Sequence, residues 1–334
     1  MIIQVNDEVF EESDEVIAKL DKFFHTINDR HFWLIDSYKN IETIRDSKWY
    51  KGLRPMYKNL IDNYIISSAT KKKIDVLKIA NTDENFNIDE AIVYLSQPLI
   101  VILENSFNDG KFINAIIKAF PEKGIKISKH IENKWLEYGN GNGCTGIVNF
   151  IKEKLNNYQN LPNKNKNKYL KCFVIVDSDS KFREMPFSNG REILVDFLNE
   201  NSIEYHILEK REIENYLPDE VIATIEGNDD FIQAYLKMKS PFQKDYFDLE
   251  NGFPDKRFND FDTNIQTLYS DLIAIDINTF RKQKMKIEGG YKNKMPDLFS
   301  HKLITKDALL NKTKHQIKDS KELETILIKI SKLL

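Results

Sequence analysis

The period of the apolar positions changes twice along this chain. Over residues 1–96 it is mostly helical. "SDEVIAKLDKFFHTI" places Val16, Ile17, Leu20, Phe23 and Phe24 on one face, with Ser13 positioned to cap the helix. "WYKGLRPMYKNLIDNYIIS" continues in this style, interrupted at Pro55. The next apolar run is of another kind. "PLIVIL" (Pro98 to Leu103) is continuous and rich in β-branched residues, as expected of a strand buried on both faces. In "KFINAIIKAF" the residues Phe112, Ile113, Ile116, Ile117 and Phe120 form a helical stripe that ends at Pro121. "GIKISKHI" alternates and is expected as a second strand. A glycine loop, "EYGNGNGCTG", then precedes the helical "IVNFIKEKLNNY". "KCFVIVD" is expected as a third strand and "IEYHILEK" as a fourth, with the helical "GREILVDFLNEN" between them.

Strands alternating with helices predict an α/β fold with a parallel sheet and right-handed crossovers. Three parts are expected. They are a helical region over 1–96, the α/β domain over 97–225, and a helical, lysine-rich region over 226–334. The polar link "NLPNKNKNK" has no apolar period, and no internal repeat is present.

Composition narrows the class. Hydrophobic residues at 41% and charged residues at 30% suit a globular chain, and no apolar run approaches the length of a membrane span. The acidic start "MIIQVNDEVFEESDE" lacks the basic and apolar segments of a signal peptide. Two cysteines, Cys144 and Cys172, make neither a disulfide framework nor a zinc cluster. A cytoplasmic protein without a membrane partner is expected. The formal net charge is −3, yet from Arg281 to Leu334 there are 14 Lys/Arg against 6 Asp/Glu. Lysines also gather at Lys71 to Lys73 and in "NKNKNKYLK". Such runs suit phosphate contacts or a solvated surface.

The candidate chemistry lies where the strands end. In an open parallel sheet, ligands collect beyond the carboxyl ends of the strands. Glu104 follows "PLIVIL", and Asp177 and Asp179 follow "KCFVIV". Glu209 closes "IEYHIL", with Glu212 and Glu214 just after it. Unpaired, these groups repel one another and their proton affinity rises. A hard divalent cation such as Mg²⁺, bound through carboxylate oxygens, relieves that penalty.

Gly141, Gly143 and Gly146 match the dinucleotide fingerprint G-x-G-x-x-G. Two features count against that function. "ENKWLEY" separates the loop from "GIKISKHI", and no acidic strand end follows about 20 residues on. A phosphate-approaching loop or a plain turn is favoured. The chain has no G-x-x-x-x-G-K-[ST] motif.

In this combination the chain resembles the TOPRIM domain shared by topoisomerases, primases and nucleases of the overcoming-lysogenization-defect type. The resemblance rests on Glu104 in "VILENSFNDGKF", the loop "GNGNGCTG", Asp177 and Asp179 in "VIVDSDSKFR", and Glu214 in "REIENYLP". It covers roughly residues 97–225. The "IENYL" stretch looks like the nuclease branch. The family's glycine after its first glutamate is Asn105 here. The aspartate four residues on is Asn108, with Asp109 one place later.

The resemblance implies a Mg²⁺- or Mn²⁺-dependent endonuclease acting on DNA or RNA, with two metal ions per site. Glu104, Asp177, Asp179 and Glu214 would be the catalytic and metal-binding residues, with Glu209 and Asp109 as further candidate ligands. Lys210, Lys292 and Lys294 are candidate phosphate contacts. It also implies an effector of bacterial anti-phage defence, controlled by an ATPase partner in trans. A homo-oligomer is compatible with all of this.

Two other readings are retained. One is a haloacid-dehalogenase-type phosphatase with Asp177 as nucleophile and "GNDD" (Gly227 to Asp230) as its later acidic motif. The other is a non-catalytic, partner-binding regulator.

Overall fold

The computed structural model describes residues 1–10, 13–162 and 165–334. It is an α/β protein with two sheets, and the chain divides into two compact units. The first unit comprises Met1–Leu99, Lys152–Lys171 and Lys332–Leu334. The second comprises Ile100–Ile151 and Cys172–Ser331.

The first unit, expected from the sequence to be mostly helical, also contains a sheet. It holds a three-stranded sheet of β1 (Ile2–Val5), β2 (Phe32–Trp33) and β3 (Val76–Ile79), in the order β2-β1-β3. Both pairings are parallel, with Ile3 opposite Trp33 on one side and Leu77 on the other. The helical stripe on Asp14–Ile27 is present, and Ser13 Oγ accepts the Val16 N–H at 3.3 Å. Its buried residues Phe23 and Phe24 meet Trp33 edge-on, while Phe10 stacks on Trp33 at 6.2 Å. Aromatic burial of this size anchors a small core.

The returning segment Lys152–Lys171 contributes Tyr169, which is fully buried and stacked on Phe86. Its hydroxyl donates to Glu90, which also accepts the Asn87 N–H at 2.9 Å and so closes a capping box. Asn163 and Lys164 of the lysine-rich link lie outside the described residues.

The second unit carries a four-stranded sheet. Its strands are β4 (Leu99–Leu103), β5 (Leu136–Asn140), β6 (Cys172–Val176) and β7 (Tyr205–Ile207), in the order β5-β4-β6-β7. β6 runs parallel to both β4 and β7, with Ile100 opposite Cys172 and Val174 opposite Tyr205. Every residue of β4 and β6 is buried, which accounts for their unbroken apolar sequences.

The second strand differs from expectation. "GIKISKHI" belongs to the helix Pro121–Glu132, and the strand is "LEYGN". Pro121 opens that helix at its first position, where its missing N–H costs nothing. Gly124 is required there, since a Cβ would meet the Ile117 carbonyl oxygen at 2.2 Å. Residues 226–334 form helices and loops around an aromatic cluster, with Phe247 and Phe280 rings 4.6 Å apart. Those up to Ser331 belong to the same compact unit as β5, β6 and β7, and Lys332–Leu334 to the first unit.

Among the described residues no helix is long and apolar enough to cross a membrane.

Candidate active site

The order β5-β4-β6-β7 fixes where a ligand site belongs. The chain leaves β4 toward one side and returns as β6 on the other, so the topological switch point lies between β4 and β6. A crevice opens beyond the strand ends at such a point. Glu104 and Asp177 are the first residues after these two strands.

Arg191 organises this edge. It is the third residue of the helix Asn189–Glu200, whose N-cap Ser188 accepts the Arg191 N–H through Oγ. Its side chain is only 2% exposed. One guanidinium nitrogen donates to Glu104 Oε1 at 2.9 Å and another to Asp179 Oδ2 at 2.8 Å. Its Nε is enclosed without a hydrogen-bond partner.

The turn after β6 is held from β7. Asp179 adopts φ 55°, a left-handed conformation that aspartate tolerates better than most residues. Its N–H donates to the Arg211 carbonyl at 3.0 Å, and Ser178 Oγ donates to the Lys210 carbonyl at 2.7 Å.

Among the described residues, no cation is paired with Asp177. Burial pushes its proton affinity far above the usual carboxylate range, and Asp109, Glu214, Glu104 and Glu212 reinforce the effect. Burial raises Asp109 to about 6, with the Glu104 charge adding to it, although the Asn105 N–H donates to Asp109 at 2.8 Å. Burial raises Glu214 to about 8, helped by Glu212, Asp109 and Glu250. Burial also raises Glu212, with Arg211 opposing. The structure therefore brings Glu104, Asp109, Asp177, Glu212 and Glu214 into one electrostatic cluster, and Arg191 ties Asp179 to it.

Other expected residues fall elsewhere. Glu209 is not in the cluster. Its carboxylate accepts the backbone N–H groups of Ile317, Lys318 and Asp319, so it fastens a loop. Lys210 cannot meet a phosphate as expected. It is fully buried and paired with Asp245, and its ammonium lies over the Tyr216 ring, 5.3 Å from the centroid. Lys294 is exposed and pairs with Asp297 at 3.5 Å. Lys292 is exposed, and its carbonyl accepts the Asn108 side chain at 2.9 Å, beside Asp109. In "GNDD", Asp229 and Asp230 lie exposed in the first turn of the helix Asp229–Leu236.

The glycine loop does reach the site. β5 ends at Asn140, so the strand-to-helix turn is tight, which corrects the separation inferred from the sequence. Gly141 N–H donates to the Leu103 carbonyl at 2.7 Å, and Asn142 N–H donates to that of Glu104 at 2.9 Å. Cys144, in the first helical turn, feels Arg191, Glu104 and Asp179, while burial raises its thiol. A Cβ on Gly146 would meet the Gly141 carbonyl oxygen at 1.8 Å. Gly146→Ala is therefore expected to destabilise the protein by about 1–3 kcal/mol, as for other overpacked sites. A thermal melt unchanged from wild type would contradict that close approach.

Several residues at this edge were not foreseen. Arg191 is one. Glu250 and Asp248 are others, since they and Glu212 and Glu214 all act on the buried Tyr291 hydroxyl, which has no hydrogen-bond partner among the described residues. Asp248 pairs with Arg211 at 2.8 Å. Only their acidic or basic type was visible in the sequence, because their position depends on long-range packing.

Among the described residues, no three His, Cys, Asp or Glu side chains are arranged as a ready-made metal-ligand group. The donors available are nevertheless of one kind, carboxylate oxygen, and Arg191 compensates only Glu104 and Asp179. That donor set fits a hard divalent cation. No protein-family model, curated protein or solved structure matches this chain.

Proposed function

We propose that the protein is a TOPRIM-like, metal-dependent nuclease. The observation that carries this reading is that the buried Asp177, at the carboxyl end of β6, is acted on by the charges of Asp109, Glu214, Glu104 and Glu212. Mutual repulsion on Asp177 is a standing electrostatic debt that Mg²⁺ or Mn²⁺ would relieve. Asp177, Asp179, Glu104 and Glu214 would hold two such ions, with Asp109 and Glu212 adjoining. When bound, they would polarise a phosphodiester and lower the pKa of an attacking water.

The chain's own residues supply the rest. Glu104 would either accept the proton of the attacking water or bridge to the second metal ion. Arg191 holds Glu104 and Asp179 in register. The amides of the glycine loop line the end of β4, and Lys292, whose carbonyl accepts the Asn108 side chain, would be a phosphate contact. As the resemblance implies, an ATPase partner would control the enzyme, and anti-phage defence would be its setting.

The test is direct. The protein is incubated with plasmid, linear DNA and tRNA in Mg²⁺ or Mn²⁺, beside Glu104→Ala and Asp177→Ala. Cleavage is expected from the wild type alone. Cleavage that survives both substitutions would remove the proposed site.

A further inference from the structure

We propose that a cleft beside the acidic cluster receives an unpaired nucleobase of a single-stranded nucleic acid, seating the neighbouring phosphodiester at the carboxylates. This inference rests on the nuclease reading and deepens it by naming the substrate class.

The cleft measures about 800 Å³, within the range of small-molecule sites and ample for a base and its sugar. It opens directly off the acidic edge, because Arg211 and Asp248 belong to both. The Arg211 carbonyl accepts the Asp179 N–H, and its guanidinium reaches Asp248 at 2.8 Å and Glu212 at 3.4 Å.

The lining includes Phe182, Met185 and Pro186 from the segment that leaves Asp179, together with the largely buried rings of Tyr246, Phe253 and Phe261. Phe182 is half-buried, so part of its ring remains open to a ligand. Charge on the lining favours an anion. Lys181, Arg211, Lys256, Arg281 and Lys284 face three aspartates, of which Asp248 and Asp255 are already paired with Arg211 and Arg281. Among the described residues Arg281 Nε finds no hydrogen-bond partner, and the Arg281 side chain is part of the lining.

A surface that only tracks phosphates has no use for an aromatic cleft, and an apolar ligand has no use for surplus cations. Aromatic faces joined to a basic lining are the means by which proteins bind unpaired strands. A base inside a duplex cannot enter such a cleft without leaving its stack, which costs a few kcal/mol.

The test is equilibrium binding to the full chain, with Ca²⁺ in place of Mg²⁺. The probes are short fluorescent oligothymidylate and oligouridylate strands, each beside an abasic strand of equal length, with duplex as competitor. At least one base-bearing strand is expected to bind about tenfold more tightly than its abasic counterpart, the scale of one stacked base. The deoxy and ribo probes identify the preferred sugar. Phe182→Ala should erase that difference, leave abasic binding unchanged and leave the melting temperature unchanged. Equal affinity for base-bearing and abasic strands, no binding of either, equal competition by duplex, or a Phe182→Ala loss common to both probes overturns the proposal. Cleavage assays separate the two inferences. Base-dependent binding without any Glu104-dependent cleavage keeps the cleft and removes the nuclease. Glu104-dependent cleavage with base-independent binding does the reverse.

Discussion

Asp177→Asn is expected to stabilise the metal-free protein at pH 8 while reducing cleavage by about a thousandfold. The two effects share a cause. Asp177 is crowded by Asp109, Glu214, Glu104 and Glu212, so burial and repulsion favour its protonated form. Asp109 and Glu214 are raised to about 6 and about 8 by burial first and by their neighbours second. In the unfolded chain all three return to the ordinary carboxylate range near 4. Between about pH 4 and pH 8 the folded protein therefore binds more protons than the unfolded chain, and its stability falls as pH rises through that window.

A tenfold change in proton affinity is worth about 1.4 kcal/mol. With solvent screening of these part-exposed groups, a total loss on the order of 2 kcal/mol is expected. In a chelator, the wild-type melting temperature should fall by a few degrees from pH 5 to pH 8, and Mg²⁺ should restore it. Asp177→Asn removes the most crowded charge without changing the shape of the side chain. Its pH profile should be flatter, and the divalent cation should no longer raise its melting temperature appreciably. A wild-type melting temperature that does not change with pH would show that these carboxylates do not repel one another in solution.

The second large effect is on stability alone. Lys210→Ala is expected to cost about 3–5 kcal/mol, the usual penalty for removing one partner of a buried ion pair. Lys210 is fully buried, and burial lowers its proton affinity while Asp245 opposes that shift. Asp245 also accepts from His315 Nε2 at 2.6 Å. Without Lys210, a buried carboxylate keeps only that imidazole. Replacing both partners by apolar residues, as Lys210→Met with Asp245→Leu, should recover most of the loss, since no charge is left stranded. The measurement is a thermal melt followed by limited proteolysis, because two units need not unfold as one transition. If the single variant melts within a degree of wild type, the pair does not support the β7 end.

The chemistry-bearing strands were legible because burial on both faces writes itself into sequence. β4 and β6 are unbroken apolar runs, so the carboxylates that follow them could be placed at a sheet edge before any coordinates. β5 was not legible. Its sequence "LEYGN" has one fully apolar side chain, and only Leu136 and Gly139 are buried. The alternation in "GIKISKHI" suggested a strand instead. In the helix Pro121–Glu132 the buried positions are Gly124, Ile127 and His130, spaced by three, while Ile125 is largely exposed. One isoleucine on the solvent side was enough to mimic a period of two. The strand IIQV was missed for a different reason. Four residues carry too little pattern to outweigh the helical stretches that follow.

The site was legible as far as strand ends reach. Glu104, Asp177, Asp179 and Glu214 were named from their order. Glu209 and Lys210 were named by the same rule and lie outside the cluster, since proximity in sequence to a strand end does not say which way a side chain turns. Arg191 sits at the third position of a helix, and nothing local marks it as the counter-ion of two carboxylates.

The path of the chain bears on how this protein is made and how it can be cut. Neither unit is one continuous stretch, because residues 152–171 return to the first unit between two strands of the second. During synthesis, Glu90 must wait for Tyr169 before its buried carboxylate gains that partner. A truncation at residue 96, where the sequence had suggested a boundary, would deprive the N-terminal fragment of Tyr169 and would end three residues before the unit's first segment does. A protease nick near residue 160 would leave every acidic residue of the site intact and still break the connection that returns the chain from the first unit to β6.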